Sequence, residues 1–152
     1  MIPLQLNATL EKYNLKPIEF SEEGATFSVE DASKALNVEA GQIAKTILFK
    51  GKQGKYIMIV AAGDKKLLNL KIKEIAGGRV SMASFEETLE ATGYPVGGVC
   101  PFGIMNENVQ IFIDESLKPY DTVYTACGTT KSMLPVNYNI LMDIATSSCD
   151  VT

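Results

Sequence analysis

The sequence contains no histidine and no tryptophan among its 152 residues, and it has only three cysteines. The missing histidine excludes catalysis by a Ser–His or Cys–His pair, and it removes a common zinc ligand. Cys100, Cys127 and Cys149 lie far apart and form no CxxC pair, so a disulfide framework is not expected. Any catalysis must therefore rely on lysine, carboxylates, hydroxyls, thiols or backbone amides.

Long hydrophobic runs are also missing. The longest apolar stretch, residues 56–63, is far shorter than the roughly 20 residues of a membrane-spanning helix. The N-terminal residues 1–6 lack the basic start and apolar body of a secretory signal. Apolar residues make up 46% of the chain and charged residues 21%, as in ordinary soluble domains. We therefore expect one soluble, cytoplasmic domain covering residues 1–152, with no membrane partner.

Positive charge is scarce overall but concentrated in one segment. The net charge is −4, yet residues 45–79 carry +7 and the remainder carries −11. This division favours a phosphate-facing surface on an acidic body. The alternative is that these lysines merely cover the solvent-exposed faces of a hairpin and a helix.

The apolar pattern predicts an α+β fold. Residues 3–14 have the spacing of an amphipathic helix, and the β-rich runs 46–49 and 56–60 predict a hairpin whose second strand is central in a sheet. Further strands are predicted at 109–113, at 122–126 and near Met133. The prediction is a single domain in which helices flank a mixed or antiparallel sheet.

Four residues are predicted to cap helices at their N-termini: Ser28, Asp64, Ser84 and Asn137. The helix after Asp64 is expected to end at the Gly77–Gly78 pair. After the last helix, which we place up to Ile144, the sequence predicts a polar, loose C-terminus.

Residues 93–103 contain four glycines and two prolines, which fix an unusual backbone path. Glycines in such a loop let the main chain approach a ligand, and successive free N–H groups can bind an anion or a developing oxyanion. The alternative is a connector built from tight turns.

Lys45 and Thr46 lead into the first predicted strand of the hairpin. Lysine is rarely buried unless it is paired or functional, so this position is a candidate for chemistry. A lysine at a strand start can also extend its ammonium group to solvent without any further role.

Several ordered motifs together resemble the YbaK/prolyl-tRNA-synthetase-associated editing domains. They are residues 44–49, 60–64, 83–87, 93–103, 113–117 and 125–128. The loop Gly-Tyr-Pro-Val-Gly-Gly-Val-Cys-Pro-Phe-Gly is similar to the signature loop of that family almost residue for residue. The resemblance extends over about residues 26–145, and several motifs in one order are harder to obtain by chance than any single one.

The resemblance implies a trans-editing hydrolase that deacylates mischarged aminoacyl-tRNA. The expected substrate is tRNA(Pro) carrying cysteine, alanine or another small noncognate amino acid. No cofactor and no metal are implied, because an aminoacyl ester is already activated and amide donors can stabilise its oxyanion. The expected partners are the 3′ end of the tRNA and prolyl-tRNA synthetase.

Residue by residue, the resemblance places Lys45, Gly97 and Gly98 in catalytic positions. It places the substrate-binding positions at Thr46, Pro101, Phe102, Gly103, Asp114 and Gly128. The chain departs from many relatives at residues 18–21, where no histidine or short polar motif is present. Cys100 lies inside the loop without a visible base, so we interpret it as a small wall residue and not as a nucleophile.

Two other functions remain open on the sequence alone. One is a non-catalytic module of the same fold that binds tRNA or a synthetase. The other is a hydrolase of small acyl esters, which would not need the basic segment and would show little salt dependence. The identity of the amino acid removed and the oligomeric state are not encoded in any recognisable pattern.

Overall fold

Five α-helices and eight β-strands make up the computed structural model, which describes residues 1–152. The helices are α1 (Asn7–Lys12), α2 (Val29–Leu36), α3 (Asn69–Ala76), α4 (Phe85–Thr92) and α5 (Tyr138–Asp143). The strands are β1 (Ile18–Glu19), β2 (Ala44–Lys50), β3 (Tyr56–Ala62), β4 (Ser81–Met82), β5 (Val109–Asp114), β6 (Val123–Ala126), β7 (Ser132–Val136) and β8 (Ser147–Cys149).

The larger sheet has five strands in the order β4-β2-β3-β5-β8. Strands β2 and β3 form the predicted hairpin, paired antiparallel from Ala44↔Ala62 to Lys50↔Tyr56. Strand β3 pairs parallel with β5, and β5 pairs parallel with β8, so the sheet is mixed. The apolar run of β3 lies at the centre of this sheet and is buried from Ile57 to Ala62, as predicted.

A second, antiparallel sheet has the order β1-β7-β6. A single parallel bridge between Ile43 and Tyr124 connects it to the start of β2. The two sheets and the helices around them confirm the α+β class.

Side chains of the hairpin alternate between two hydrophobic clusters, because successive residues of a strand point to opposite faces. Leu48, Met58 and Val60 belong to the larger cluster, which also contains Tyr94 and Phe102. Phe49, Ile57 and Ile59 belong to a smaller cluster with Ile72 of α3. Both faces of the five-stranded sheet are therefore covered, which holds β2 in a fixed position.

Three of the four predicted helix caps are confirmed. Ser28 and Ser84 each accept a hydrogen bond from the third residue of their helix and form complete capping boxes. Asn137 accepts one from the amide of Ile140. The cap predicted at Asp64 is wrong, because α3 begins only at Asn69; the amide of Leu68 donates instead to the carbonyl of Val151.

The prediction of a loose C-terminus is also wrong. Residues 147–149 form β8, and Val151 is fully buried. The Asp114 carboxylate accepts hydrogen bonds from the amide of Val151 at 2.8 Å and from the hydroxyl of Thr152 at 3.1 Å. The strand is only three residues long, too short to show an alternating pattern in the sequence.

None of the helices in the structure has the length and apolarity required to cross a membrane.

Candidate functional site

A cavity of about 230 Å³ opens between the start of β2, the first turn of α2, strands β6 and β7, and the loop of residues 93–103, called the glycine loop below. Its lining residues are Thr26, Phe27, Ser28, Val29, Ala32, Ile43, Ala44, Lys45, Thr46, Ile47, Gly97, Val99, Ala126 and Met133. Three predicted site residues thus share one cavity: Lys45, Thr46 and Gly97.

The cavity lies at an open strand edge. Strand β4 pairs with β2 only at Phe49 and Lys50, and the bridge to the second sheet is made at Ile43. Between these points the outer edge of β2, residues 45–47, has no partner strand. An unpaired edge presents backbone donors and acceptors, so a ligand here can bind main-chain as well as side-chain groups.

Lys45 is half-buried at this edge and forms no salt bridge. Its ammonium group donates a hydrogen bond to the carbonyl oxygen of Lys65, in the turn after β3. Burial lowers the pKa of Lys45 below the 10.5 of an ordinary lysine, and the negative charge of Asp64 opposes this shift. The Lys45 ammonium group is thus held in place by one hydrogen bond. It can still donate others to a ligand, because an ammonium group has three hydrogens.

The hydroxyl oxygen of Thr46 is buried in the cavity wall and has no hydrogen-bond partner in the protein. A buried polar group without a partner costs about 1–3 kcal/mol. Such an orphan group is uncommon in native structures, and at the wall of a cavity it is suited to bind a polar ligand atom.

The first half of the glycine loop forms the opposite wall. Gly97 has a φ of +89°, and a Cβ atom there would lie 2.5 Å from Cδ1 of Phe27. The amide of Gly98 donates to the carbonyl of Pro95 at 2.9 Å and closes a turn. Gly98, a predicted catalytic position, therefore has no free amide, whereas the amides of Gly97 and Val99 have no acceptor in the protein.

The second half of the loop serves packing. Pro101 and Phe102 are buried, and the carbonyl of Phe102 accepts a hydrogen bond from the Tyr94 hydroxyl at 2.7 Å. The carbonyl of Gly103 accepts one from the Gln5 side chain at 2.8 Å. None of these three residues lines the cavity, so their contacts stabilise the loop on its buried side. Direct contacts between these residues and the substrate stay a prediction.

Asp114 and Gly128 also lie outside the cavity lining. Burial alone would raise the pKa of Asp114, but hydrogen bonds from Ser116, Val151 and Thr152 hold it below its usual value. These bonds explain Asp114 as the anchor of the C-terminal strand. Gly128 has a φ of +87° and packs against Pro3, where a Cβ atom would lie 2.5 Å from Cγ.

Cys100 is fully buried in the larger cluster and does not line the cavity, so its interpretation as a wall residue is wrong. Burial raises the pKa of its thiol far above the usual range. A protonated, inaccessible thiol is a poor nucleophile, which agrees with excluding Cys100 from the chemistry.

Sequence reasoning missed the part of the cavity that comes from α2 and the second sheet. Phe27, Val29, Ala126 and Met133 line the cavity, although none was a candidate. A weak signal existed at Phe27, a large apolar residue directly before the Ser28 cap that remains 48% exposed. Ala126 and Met133 face each other across β6 and β7 and carry no recognisable functional pattern.

Comparisons with known proteins agree on one family. Residues 23–144 match the family described as "Aminoacyl-tRNA editing domain". A protein of Bacillus subtilis (strain 168) named "Uncharacterized protein YwhH" is 39% identical over 129 residues, covering 85% of this chain and 80% of the relative. The proline–tRNA ligase of Kosmotoga olearia is 35% identical over 68% of this chain, which spans only 18% of the ligase.

A solved crystal structure supports the same assignment. It belongs to a protein proposed as a trans-editing enzyme for prolyl tRNA synthetase. The two chains share 28% sequence identity and superpose with a TM-score of 0.86, covering 97% of this chain and 94% of the other.

Proposed function

Because the chain belongs to the aminoacyl-tRNA editing domain family, we propose that it is a hydrolase that removes wrongly attached amino acids from tRNA in trans. The proposed substrate is tRNA(Pro) charged with a small noncognate amino acid such as alanine or cysteine. The structural neighbour proposed as a trans-editing enzyme and the matches to proline–tRNA ligases support this choice of tRNA.

One observation carries the proposal: Lys45, Thr46, Gly97 and Val99 line a single cavity, and they carry an ammonium group, an unpaired hydroxyl and two free amides. These groups are hydrogen-bond donors, which is what the developing negative charge on an ester carbonyl requires. No histidine is needed as a base if a bound water, or a hydroxyl of the substrate itself, is positioned against the carbonyl carbon.

In the proposed reaction, the water oxygen forms a bond to the ester carbonyl carbon, and the carbonyl oxygen becomes an oxyanion. The bond between this carbon and the ribose oxygen then breaks. The ribose oxygen takes up the proton that the water has released, leaving a free amino acid and uncharged tRNA. Lys45 and the loop amides act by stabilising the oxyanion and by holding the ribose end.

The size of the cavity favours a small amino acid. Its volume of about 230 Å³ lies below the roughly 300–1,000 Å³ of most small-molecule sites. Apolar side chains provide most of the wall, so we expect short, uncharged aminoacyl groups to be preferred. One methylene changes binding by only about 1–3 kcal/mol, so discrimination between closely related amino acids will be modest.

The test is deacylation of tRNA(Pro) charged separately with Pro, Ala, Cys, Ser and Thr. Wild-type protein, Lys45→Ala and the control Lys16→Ala, which changes an exposed lysine outside the cavity, are compared. We expect rapid release of one or two noncognate amino acids, lost in Lys45→Ala and retained in the control. Absence of release from every charged tRNA, with tRNA binding intact, would contradict the proposal and favour a non-catalytic binding module.

A further inference from the structure

Two further grooves are lined by residues of β2 and β4. The nearer one is an apolar slot of about 150 Å³, and it shares four residues with the cavity: Thr46, Ile47, Gly97 and Val99. Its outer wall is formed by Leu48, Met82, Ala83, Phe85, Thr88 and Val96. The cavity and the slot are therefore two neighbouring compartments that share lining residues from β2 and from the glycine loop.

The slot carries an exposed apolar surface that the fold does not cover. Phe85, the first residue of α4, is 71% exposed, and Met82 is 67% exposed. Large apolar side chains are common on surfaces when single, but here an aromatic ring borders a concave apolar slot beside a candidate active site. A flat aromatic ring in such a position is suited to stack on a nucleobase.

Farther along, the next groove is basic. It has a volume of about 690 Å³ and is lined by Lys50, Gly51, Lys52, Lys73, Arg79, Val80 and Ser81. Lys50 is paired with Glu87, whereas Lys52, Lys73 and Arg79 are exposed and form no salt bridge. No acidic side chain lines either groove.

The lining residues place the cavity, the slot and the basic groove in this order along β2. On β4, Ser81 lines the basic groove and the next residue, Met82, lines the slot. On β2, Lys50 lines the basic groove and Leu48 lines the slot. At about 3.4 Å per residue, β2 carries the chain roughly 17 Å from Lys45 to Lys50. Cavity, apolar slot and basic groove thus succeed one another over a distance that a short single strand of nucleotides can span.

We propose that these compartments form a binding track for the unpaired 3′ end of an RNA, with a terminal base stacked on Phe85 and the backbone phosphates held by Lys52, Lys73 and Arg79. The assignment rests on the proposed function for the identity of the group in the cavity. The choice of RNA over an apolar protein segment follows from charge, since the groove next to the slot along β2 is lined by three cations without a salt bridge and by no carboxylate.

Lys52 lies beside the turn that follows α3. Its side chain lies over Gly78, where a Cβ atom would come within 2.7 Å of Lys52 Cε. Gly78 therefore leaves space for the lysine to fold back along the turn between α3 and β4. A larger residue at position 78 would shift the end of this flexible side chain.

The experiment measures the dissociation constant of a fluorescently labelled RNA minihelix that ends in the unpaired nucleotides ACCA, and of the same minihelix with a blunt end. No amino acid is attached, so hydrolysis plays no part in the signal. Wild-type protein should bind the ACCA form more tightly than the blunt form. Equal binding of the two forms, or binding of neither, would overturn the proposal.

Phe85→Ala should weaken binding of the ACCA form by roughly 5- to 100-fold, as expected for loss of one stacked base, and should leave the blunt form unchanged. Phe85→Trp should restore the preference. The control Met105→Ala removes a side chain that is 85% exposed but lies outside all three compartments. If Phe85→Ala binds the ACCA form as wild type does, Phe85 has no stacking role and the track is wrong.

Arg79→Ala and Lys52→Ala should each reduce the slope of log Kd against log salt by about 0.7, the value for one single-strand phosphate contact. Lys16→Ala should leave the slope unchanged. Unchanged slopes in the Arg79 and Lys52 variants would remove the phosphate part of the track and overturn the assignment to RNA.

The two proposals can fail separately. If charged tRNA is not hydrolysed but Phe85→Ala still abolishes the preference for the ACCA end, the track stands and the hydrolase proposal fails. If wild-type protein hydrolyses charged tRNA while Phe85→Ala and Arg79→Ala leave KM and kcat unchanged, the hydrolase stands and the track fails. In that second case the exposed Phe85 surface would be assigned to a protein partner.

Discussion

Lys45 and Lys50 lie on the same strand, yet the two ends of β2 give them opposite environments. Lys50 is exposed and pairs with Glu87 at 2.6 Å, and this hydrogen-bonded carboxylate raises its pKa. Lys45 is half-buried and donates to a backbone carbonyl, and burial lowers its pKa. The charge of Lys50 is therefore neutralised by Glu87, whereas the charge of Lys45 remains available to a ligand.

The neighbours of the two lysines follow the same division. Around Lys50, strand β4 closes the sheet edge and Glu87 is itself held by the Ser84 cap. Around Lys45 the edge is open and the adjacent Thr46 hydroxyl has no partner. The polar groups around Lys50, at the closed end of β2, thus have hydrogen-bond partners within the protein. Around Lys45, at the open end of β2, some polar groups lack partners, which is expected where a ligand binds.

The largest expected effect separates the two lysines directly. Lys45→Ala should lower kcat for deacylation by about 100-fold or more, as found when one oxyanion donor is removed. Lys50→Ala should change kcat by less than about threefold, because that ammonium group already serves Glu87. Single-turnover rates at saturating protein measure both. An equal loss of kcat in the two variants would contradict the different roles assigned to Lys45 and Lys50.

The next effect compares two glycines with the same backbone conformation. Gly97 and Gly54 have φ values of +89° and +75°, but a Cβ atom would collide with Phe27 only at Gly97. Alanine at either position should cost about 1–2 kcal/mol of stability for the positive φ. Only Gly97→Ala should also reduce kcat/KM, by roughly tenfold, because Phe27 must move within the cavity. Denaturant unfolding and kinetics together separate the two contributions.

A smaller effect is expected at Thr46. Thr46→Val keeps the shape of the side chain but removes the unpaired hydroxyl, so the free energy of unfolding should stay unchanged or rise slightly. If the hydroxyl binds substrate, kcat/KM should fall by about 2- to 10-fold, the worth of one neutral hydrogen bond. Loss of stability without loss of activity would instead assign Thr46 to the fold.

The smallest expected effect is on the thermal stability at low pH, through the ion pair between Lys50 and Glu87. Hydrogen bonds from Lys50 and Ser84 lower the pKa of Glu87 from 4.5 to about 2. The unfolded chain therefore takes up this proton first, and the stabilisation is lost as the pH falls from about 4.5 toward 2. Thermal unfolding of Glu87→Gln should show a shallower decrease of Tm over this range than wild type. Identical slopes would mean that the ion pair does not contribute.

The parts of the fold that depend on neighbouring residues could be predicted from the sequence. The hairpin, the Ser28 and Ser84 capping boxes and the Asn137 cap follow from patterns a few residues long. The cap at Asp64 was mispredicted because α3 starts only after Leu68 is hydrogen-bonded to Val151, far away in the chain. Contacts of that separation leave no local pattern.

The candidate site divides in the same way. The sequence motifs identify Lys45, Thr46 and Gly97, and all three line one cavity. The wall contributed by Phe27 and Met133 could not be predicted, because it depends on how the start of α2 and the second sheet pack against β2. The glycine loop was identified as a unit, but only the structure distinguishes its cavity-facing half from its buried half.

The open edge of β2 has a consequence for the protein as a molecule in solution. Unpaired strand edges can pair with the same edge of another copy, and a lysine placed on such an edge hinders that pairing. Lys45 therefore also acts against self-association at the point where the sheet must stay open to a ligand. Replacing Lys45 by an apolar residue would remove this protection, so the solubility of such variants is linked to the same side chain as their activity.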